Sequence, residues 1–382
     1  MSTTAPAWQR AVQHRLFWPI VALVVLLAVN TVNRPSFLSI RLQDGHLFGS
    51  LVNLLKNGAP LLLVALGMTL VIATRGIDLS VGAVVAISGA VALSFIASSP
   101  TPDSLTTVLV AVGIALALSF VLGVWNGFLV SVLGIQPIIA TLVLMTAGRG
   151  VAMLITGGQI TTVNSAPFKS IGSGFWFGIP VAVVLAGIVF AAVALLTRRT
   201  ALGMLIESVG INPEASRLAG VKARSIIWTV YAVCALFAGL AGLMISSSTM
   251  AADANNAGLF IELDAILAVV IGGTSLAGGK FSLSGTLVGV LIIQTLTLTV
   301  TMLGISPSVT PLFKAIVVIA VCLAQSPKVR DLVAARRRRA APTAAAAAEV
   351  SLALSHISAP PSPAPRGGGG GGGAVDGGGG GG

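Results

Sequence analysis

Charge is scarce in this chain. Only 9% of its 382 residues are Asp, Glu, Lys or Arg, against about 25% in a soluble domain, which excludes an ordinary water-soluble fold. Cysteine is nearly absent: Cys234 and Cys322 both sit inside apolar runs and read as small hydrophobes, not as a disulfide framework or metal site. The three histidines, His14, His46 and His356, are scattered outside those runs. No metal-ligand spacing and no catalytic triad can be built from them. A GxxxxGKS or GxxxxGKT phosphate loop is missing too, so this chain is not itself a P-loop ATPase. The first apolar run, Leu16 to about Val32, has no small-residue cleavage site after it. It reads as a retained span, not a signal peptide.

What is present is hydrophobicity, at 55% of residues. Apolar runs of about 20 residues, the length that crosses a bilayer as helix, recur along the chain. The expected fold class is all-α: a polytopic helical membrane protein with about ten transmembrane helices. The spans fall at roughly 16–33, 54–74, 79–98, 105–130, 137–156, 175–196, 226–248, 264–277, 283–303 and 309–325. The eighth is short and rich in glycine. A net charge of +11 follows from Lys and Arg on inside loops and does not point to nucleic acid.

Orientation follows from the same rule. An inside N-terminus places Arg10, Arg15, Arg75, Arg198, Arg199, Arg217, Lys222, Arg224, Lys280, Lys328, Arg330 and Arg336 to Arg339 in the cytoplasm, and Arg34, Arg41, Lys56 and Lys169 outside. Both termini are then cytoplasmic, and the loop from Met250 to Asp264, with Asp253, Glu262 and Asp264, faces out as an acidic segment. The expected organisation is a cytoplasmic N-terminal segment at 1–15, a transmembrane domain at 16–328 containing a cytoplasmic loop at 197–225, and a low-complexity tail at 329–382. That tail runs from an Arg cluster through Ala, Pro/Ser and poly-Gly stretches, and its composition cannot form a core. The Arg cluster reads as a charged stop after the last span, or as a contact for anionic lipid.

Several spans are broken. Ala73 to Ser80 (ATRGIDLS), Gln136-Pro137 and Gly272 to Ser275 interrupt apolar sequence with Gly, Pro and polar residues. An opened backbone in hydrocarbon must find partners in protein or line a cavity, as in transporter substrate sites; glycines also simply let helices pack closely. Asp78 reads two ways. It can hydrogen-bond hydroxyls of a polar solute, or, with Ser80, cap the third span, and capping is the favoured reading. Arg149 lies in an apolar run, where a central Arg costs about 2.5–3.5 kcal/mol. It therefore faces the interior, beside a polar route or on a structural partner, or snorkels. Asn126, Gln136, Thr141, Gln159, Asn255 and Asn256 complete the polar set. Neutral donors and acceptors suit a polyol better than an ion; an ion channel would show carbonyl loops or rings of charge.

The most informative stretch is the charged island Arg198 to Arg224, with five Lys/Arg and two Glu. Leu202, Leu205, Ile206 and Val209 are spaced as one face of a short helix, which Gly210 ends. A second helix starts after Asn212-Pro213, with Asn as cap, Pro in the first turn and Glu214 suited to the dipole; Gly220 closes it. Two small helices joined by a turn make a docking element.

Here the chain resembles a family. Glu214-Ala-Ser-Arg-Leu-Ala-Gly220 is similar to the EAA-type coupling motif of ATP-binding cassette importer permeases, and Val209-Gly-Ile-Asn212 resembles the monosaccharide (ribose-type) branch. Gly76 to Gly82, Trp125-Asn-Gly127, Ile135 to Leu142, Thr146 to Gly150, Ala252 to Gly258 and Glu262 to Ala265 agree, the last three looking most like galactofuranose permeases. The resemblance covers residues 16 to about 328. It implies the type II importer fold and a transport subunit, not an enzyme, in the bacterial inner membrane. It implies a second permease copy or homologue, an extracytoplasmic sugar-binding protein, and cytoplasmic ATP-binding subunits that carry the ATP and Mg. This chain would bind no cofactor. The implied ATPase-coupling residues are Glu207, Gly210, Asn212, Glu214, Ala215, Arg217 and Gly220. The candidate pathway residues are Asp78, Asn126, Gln136, Thr141, Arg149, Asn255 and Asn256. Two departures stand out: Ser216 replaces the motif's second Ala, and Arg75 stands where the family usually has Gly, adding charge near a candidate pathway. The alternative function is an ion-gradient-driven secondary transporter of a small polar solute, with Asp78 as its carboxylate.

Overall fold

The computed structural model describes residues 16–306 and 309–325. The expectations for residues 1–15 and 329–382 lie outside the described residues. The described residues are mostly helical. Seven are long and apolar enough to cross a membrane: α2 (Ser50–Ala73), α3 (Val81–Ser98), α4 (Leu105–Ser131), α5 (Pro137–Ile155), α7 (Val181–Arg199), α10 (Ala223–Thr249) and α12 (Leu283–Met302). Three shorter apolar helices occupy the other expected spans: α1 (Phe17–Asn33), α11 (Ile261–Ile271) and α13 (Thr310–Gln325). The short helices α6 (Ala166–Ser173), α8 (Leu202–Ile211) and α9 (Pro213–Leu218) lie in connections. Among the described residues strand structure is confined to three two-stranded pairs, one of which sets Thr161-Thr162 against Ala251-Ala252. The protein is an all-α multi-pass membrane protein.

The core is centred on α2 and α10. From Leu61 to Ala73 every side chain of α2 is buried, because α10, α12 and α11 pack around it. Small residues let those backbones approach. A side-chain carbon on Gly67 would come within 2.7 Å of Cys234 Cα, and on Gly272 within 2.6 Å of Thr286 N. Polar side chains bridge helices within the apolar core. Thr69 and Thr286 hydroxyls lie 2.8 Å apart, linking α2 to α12, and Asn30 Nδ2 donates to Thr299 Oγ1 at 2.7 Å, linking α1 to α12. Such bonds contribute about 0.6 kcal/mol each in membrane proteins. By contrast α4, α5 and α7 turn Leu109, Val121, Val143, Leu154, Ile188 and Leu195 outward, as helices facing lipid do.

One expectation is corrected. The eighth span is not a full crossing at 264–277. α11 has 11 residues, about 16 Å at 1.5 Å per residue, half of a bilayer core. Left-handed Phe260 (φ 62°) precedes it, and Gly273 (φ 85°) follows its end. Two of the acidic side chains between Met250 and Asp264 pack inward. Glu262 is buried at 4% exposure, and Asp264 pairs with Lys314 Nζ of α13 at 2.6 Å, both half-buried or better.

Candidate functional site

Two interrupted stretches converge inside the bundle. The first, residues 74–80, leaves the end of α2 and enters the interior before α3 begins. Its reach is fixed by neighbours: Gly76 lies beside the fully buried Tyr231 of α10, a Cβ there falling 2.5 Å from the phenol oxygen. The second, residues 251–260, runs from the end of α10 to the start of the half-length α11. They meet at Gly82. A side-chain carbon on Gly82 would overlap Glu262 Oε2 and sit 2.7 Å from the Gly258 carbonyl oxygen, while one on Gly258 would sit 2.7 Å from Val85 Cγ1. Gly148 brings α5 to the same level, its Cβ position 3.0 Å from Ala83 Cβ. Glycine is required at Gly82 because a backbone carbonyl and a carboxylate occupy the space a side chain would take.

Around this junction the expected pathway residues fall into two groups. Asp78, Asn126 and Thr141 gather on the first stretch. Asp78 Oδ1 accepts from Ser80 N at 3.0 Å and Ser80 Oγ at 2.6 Å; Asn126 Nδ2 donates to Ser80 Oγ at 2.8 Å; Thr141 Oγ1 donates to the Ile77 carbonyl at 3.3 Å. Asp78, Ser80, Asn126 and Thr141 are all fully buried. The favoured capping role of Asp78 is not what forms. Ser80 occupies the N-cap position of α3 without a side-chain cap bond, and the carboxylate instead folds the connection before the helix onto itself. Arg149, Asn255 and Asn256 gather on the second stretch. Arg149 Nη1 donates to the carbonyls of Ala257 at 2.6 Å and Ala254 at 3.2 Å. Asp253 accepts from the backbone N–H of Asn255 and Asn256 and, at 2.7 Å, from Asn256 Nδ2. Arg149 thus satisfies carbonyls that the open backbone would otherwise leave unpaired, while Asn255 and Asn256 stay exposed. Gln136 joins neither group: it is exposed at the start of α5 and makes no side-chain cap bond.

Glu262 is the residue that sequence reasoning missed. It lies in the first turn of α11, where a helix N-terminus favours a carboxylate. Asp78 Oδ2, Asn126 Oδ1 and Glu262 Oε2 are buried acceptors without a hydrogen-bond partner. The signal that could have found Glu262 is the helix start after Gly258, read as a membrane-embedded break instead of a surface loop.

In the connection between α7 and α10, α8 and α9 form the expected pair of short helices. Ile206 and Val209 are buried and Leu205 is half-buried, but Leu202 is exposed. Asn212 Oδ1 accepts from Glu214 N at 3.1 Å and Ala215 N at 3.0 Å, the N-cap that Asn-Pro predicts. Gly220 (φ 84°) follows the second helix, its N–H on the Arg217 carbonyl. Gly210 does not end the first helix: it sits inside α8, and its role is contact, since a side-chain carbon there would overlap the Ala73 carbonyl oxygen. The outer face carries Glu214 ion-paired to Arg217 at 2.6 Å, both largely exposed. The hydrogen bond and charge of Arg217 hold the Glu214 carboxyl below its ordinary pKa. Leu218, Met204 and Ile211 are exposed at 79%, 70% and 59%. Glu207 is half-buried and lines a recess with Arg198, Met204 and Phe281. Ser216 is buried, consistent with a small residue packing inward. Arg75 does not lead its charge towards the junction: its guanidinium donates to the carbonyls of Ala277 and Ile211.

Comparison with known proteins agrees with this architecture. Residues 50–322 match the family described as branched-chain amino acid transport system / permease component. The chain is 47% identical to the galactofuranose transporter permease protein of Escherichia coli K12, over 84% of this chain and 94% of that one. It is 44% identical to the fructose import permease protein of Bifidobacterium longum, over 85% and 92%. With the ribose import permease protein of Escherichia coli K12 the identity is 39%, over 81% and 93%. No solved structure matches. The similarity thus runs along nearly the whole of these relatives, all named as membrane permeases. The chain belongs to the family of permease components of the branched-chain amino acid transport system type.

Proposed function

We propose that this chain is the membrane permease of an ATP-driven importer of a monosaccharide, galactofuranose or a similar furanose or pentose. A sugar-binding protein delivers the solute on the outside, and ATPase subunits drive import from the cytoplasm, carrying the ATP and Mg. Two permeases, identical or homologous, form the membrane unit in the bacterial inner membrane, with both termini cytoplasmic. The relatives named for sugars support the substrate class. Chemistry supports it too: the junction offers buried acceptors with unused lone pairs at Asp78, Asn126 and Glu262, and a polyol brings O–H donors. The pathway runs past Asp78, Asn126, Thr141, Arg149, Asn255 and Asn256.

The observation that carries the reading is the outer face of α8 and α9. Leu218, Met204 and Ile211 on these two short helices are exposed, as is the Glu214–Arg217 pair, and exposed apolar side chains accompanied by charge are what protein partners cover. Gly210, Asn212, Ala215 and Gly220 shape that face. The test is reconstitution with the ATPase and binding protein. Glu214→Lys reverses the charge facing the partner. It should leave the permease inserted at normal abundance while uptake collapses. Wild-type uptake by this variant would remove the docking role. Uptake that needs no ATPase and collapses with an ionophore would instead support the ion-gradient transporter.

A further inference from the structure

Three backbone segments meet where α8 joins the bundle: the end of α2 at Ala73 to Gly76, the end of α8 at Val209 to Ile211, and the turn at Ser275 to Gly279 that follows α11. They touch backbone to backbone. Gly279 N donates to the Ala73 carbonyl at 2.9 Å, and a side-chain carbon on Gly210 would overlap that same carbonyl and sit 2.6 Å from Gly279 N. Arg75 lies among them. Its backbone is left-handed, φ 65°, a conformation non-glycine residues rarely adopt, and its side chain is exposed. Nε donates to the Ala277 carbonyl at 3.0 Å, and the terminal nitrogen Nη2 donates to the Ile211 carbonyl. The aliphatic stem passes over Gly278, where a side-chain carbon would overlap Arg75 Cγ. Ile211 closes α8, so its carbonyl belongs to the electron-rich end of that helix. A planar, always charged fork suits two such acceptors, and a lysine, as a point charge, does not reproduce it.

The topology gives this contact its meaning. Arg75 sits at the root of the first interrupted stretch, and Ala277 lies in the turn at the root of α11, the half-length helix that carries Glu262. The far ends of these two segments are the ones that meet at Gly82. We propose that Arg75 is a positioning residue of the transport cycle. It clasps the end of α8 to the root of the first interrupted stretch and to the root of α11, so that movement of α8 and α9 is passed to the central junction. A left-handed arginine at this place is conformational strain held by a specific contact, the situation in which strain is worth reading as functional. This inference rests on the reading of α8 and α9 as the ATPase dock.

The test uses the complete transporter in proteoliposomes, with solute uptake, ATP hydrolysis and subunit retention measured together. Arg75→Gly removes the guanidinium and relaxes the backbone, because glycine accepts φ 65° without strain, so loss of folding is not its expected outcome. Its melting midpoint should equal or exceed that of the wild type, the ATPase subunit should stay bound, and solute moved per ATP should fall by about five-fold or more. Arg75→Lys, which keeps a single donor group, should recover part of the loss. A coupling ratio for Arg75→Gly within about two-fold of wild type overturns the proposal. So does a drop in melting midpoint together with loss of the ATPase subunit, which would make Arg75 merely structural. The wild-type complex separates the two readings: uptake without ATPase defeats the proposed function, whereas ATP-driven uptake with an unaffected Arg75→Gly defeats only the clasp.

Discussion

The junction at Gly82 and the hairpin of α8 and α9 are both polar interruptions of an apolar chain, yet they settle their hydrogen bonds in opposite ways. In the hairpin Asn212 fills two N–H groups of the short helix, Glu214 and Arg217 satisfy each other, and Gly220 closes the turn. At the junction Asp78, Asn126 and Glu262 each keep one oxygen buried and unpaired. A buried polar atom without a partner costs about 1–3 kcal/mol, and native structures leave few of them. The difference teaches which part is finished and which is not. The hairpin's cap and ion pair are satisfied within the hairpin, as the proposed docking surface needs; the junction holds unused acceptors at the point where the two interrupted stretches approach.

The largest effects should come from filling the two close contacts. Gly82→Val forces apart α3, Gly258 and Glu262; overpacking of this kind costs about 1–3 kcal/mol. Uptake should be abolished while the ATPase subunit still co-purifies, because the hairpin is untouched. Gly210→Val drives α8 off the Ala73 carbonyl and Gly279, and the ATPase subunit should then be lost from the purified complex. If both variants lose the subunit, junction and hairpin are one unit and the contrast fails.

A smaller effect is expected at Asp78. Asp78→Ala strands the Ser80 N–H and hydroxyl that its carboxylate accepts, and should lower stability by about 1–3 kcal/mol in thermal or denaturant unfolding. Asp78→Asn keeps an acceptor for both donors and should recover most of that stability. Equal destabilisation by the two variants would mean that the carboxylate charge, not the hydrogen-bonded turn, is what the site needs. Glu262→Gln preserves shape and has no bond to lose at Oε2. Its expected signature is changed uptake at unchanged abundance and melting, and unaltered uptake would exclude Glu262 from the pathway.

The sequence made one of these regions far more legible than the other, for physical reasons. The hairpin is governed by local rules: apolar spacing, an Asn cap, a Pro in the first turn and a Gly after the end act over three to four residues, and each left its mark between Leu202 and Gly220. Leu202 was misread as part of the buried face, and Gly210 as a helix end, because a glycine used for contact with the distant Ala73 looks the same in sequence as a glycine that ends a helix. The spans were legible because hydropathy is local too. The junction depends on which segments meet. Asp78 resembled a cap until Ser80 was seen to fold back on it, and Glu262 resembled a surface acid until α11 proved to be half a span. Arg149 read as facing the interior or snorkelling, and its carbonyl partners, Ala254 and Ala257, could not be named because they lie more than 100 residues away.

The smallest predicted effect probes the finished part. Asn212→Ala removes the cap of a helix only six residues long, a loss worth about 1 kcal/mol. That is too little to unfold a bundle held by its buried core, so the melting midpoint of the permease should barely move. The same 1 kcal/mol is a large fraction of what holds so short a helix in shape, and Leu218 and Glu214 are displaced when it frays. Affinity for the ATPase subunit should therefore weaken by about five-fold, the equilibrium equivalent of that energy. Asn212→Asp keeps the acceptor and places a negative charge at a helix N-terminus, so it should bind the subunit at least as well as the wild type. A hairpin that is complete in itself behaves in this way: a change at its cap is felt by its partner and not by the junction. If Asn212→Ala instead slowed uptake with subunit affinity intact, the cap would be acting through the bundle, and the clasp at Arg75 would be the route by which it did so.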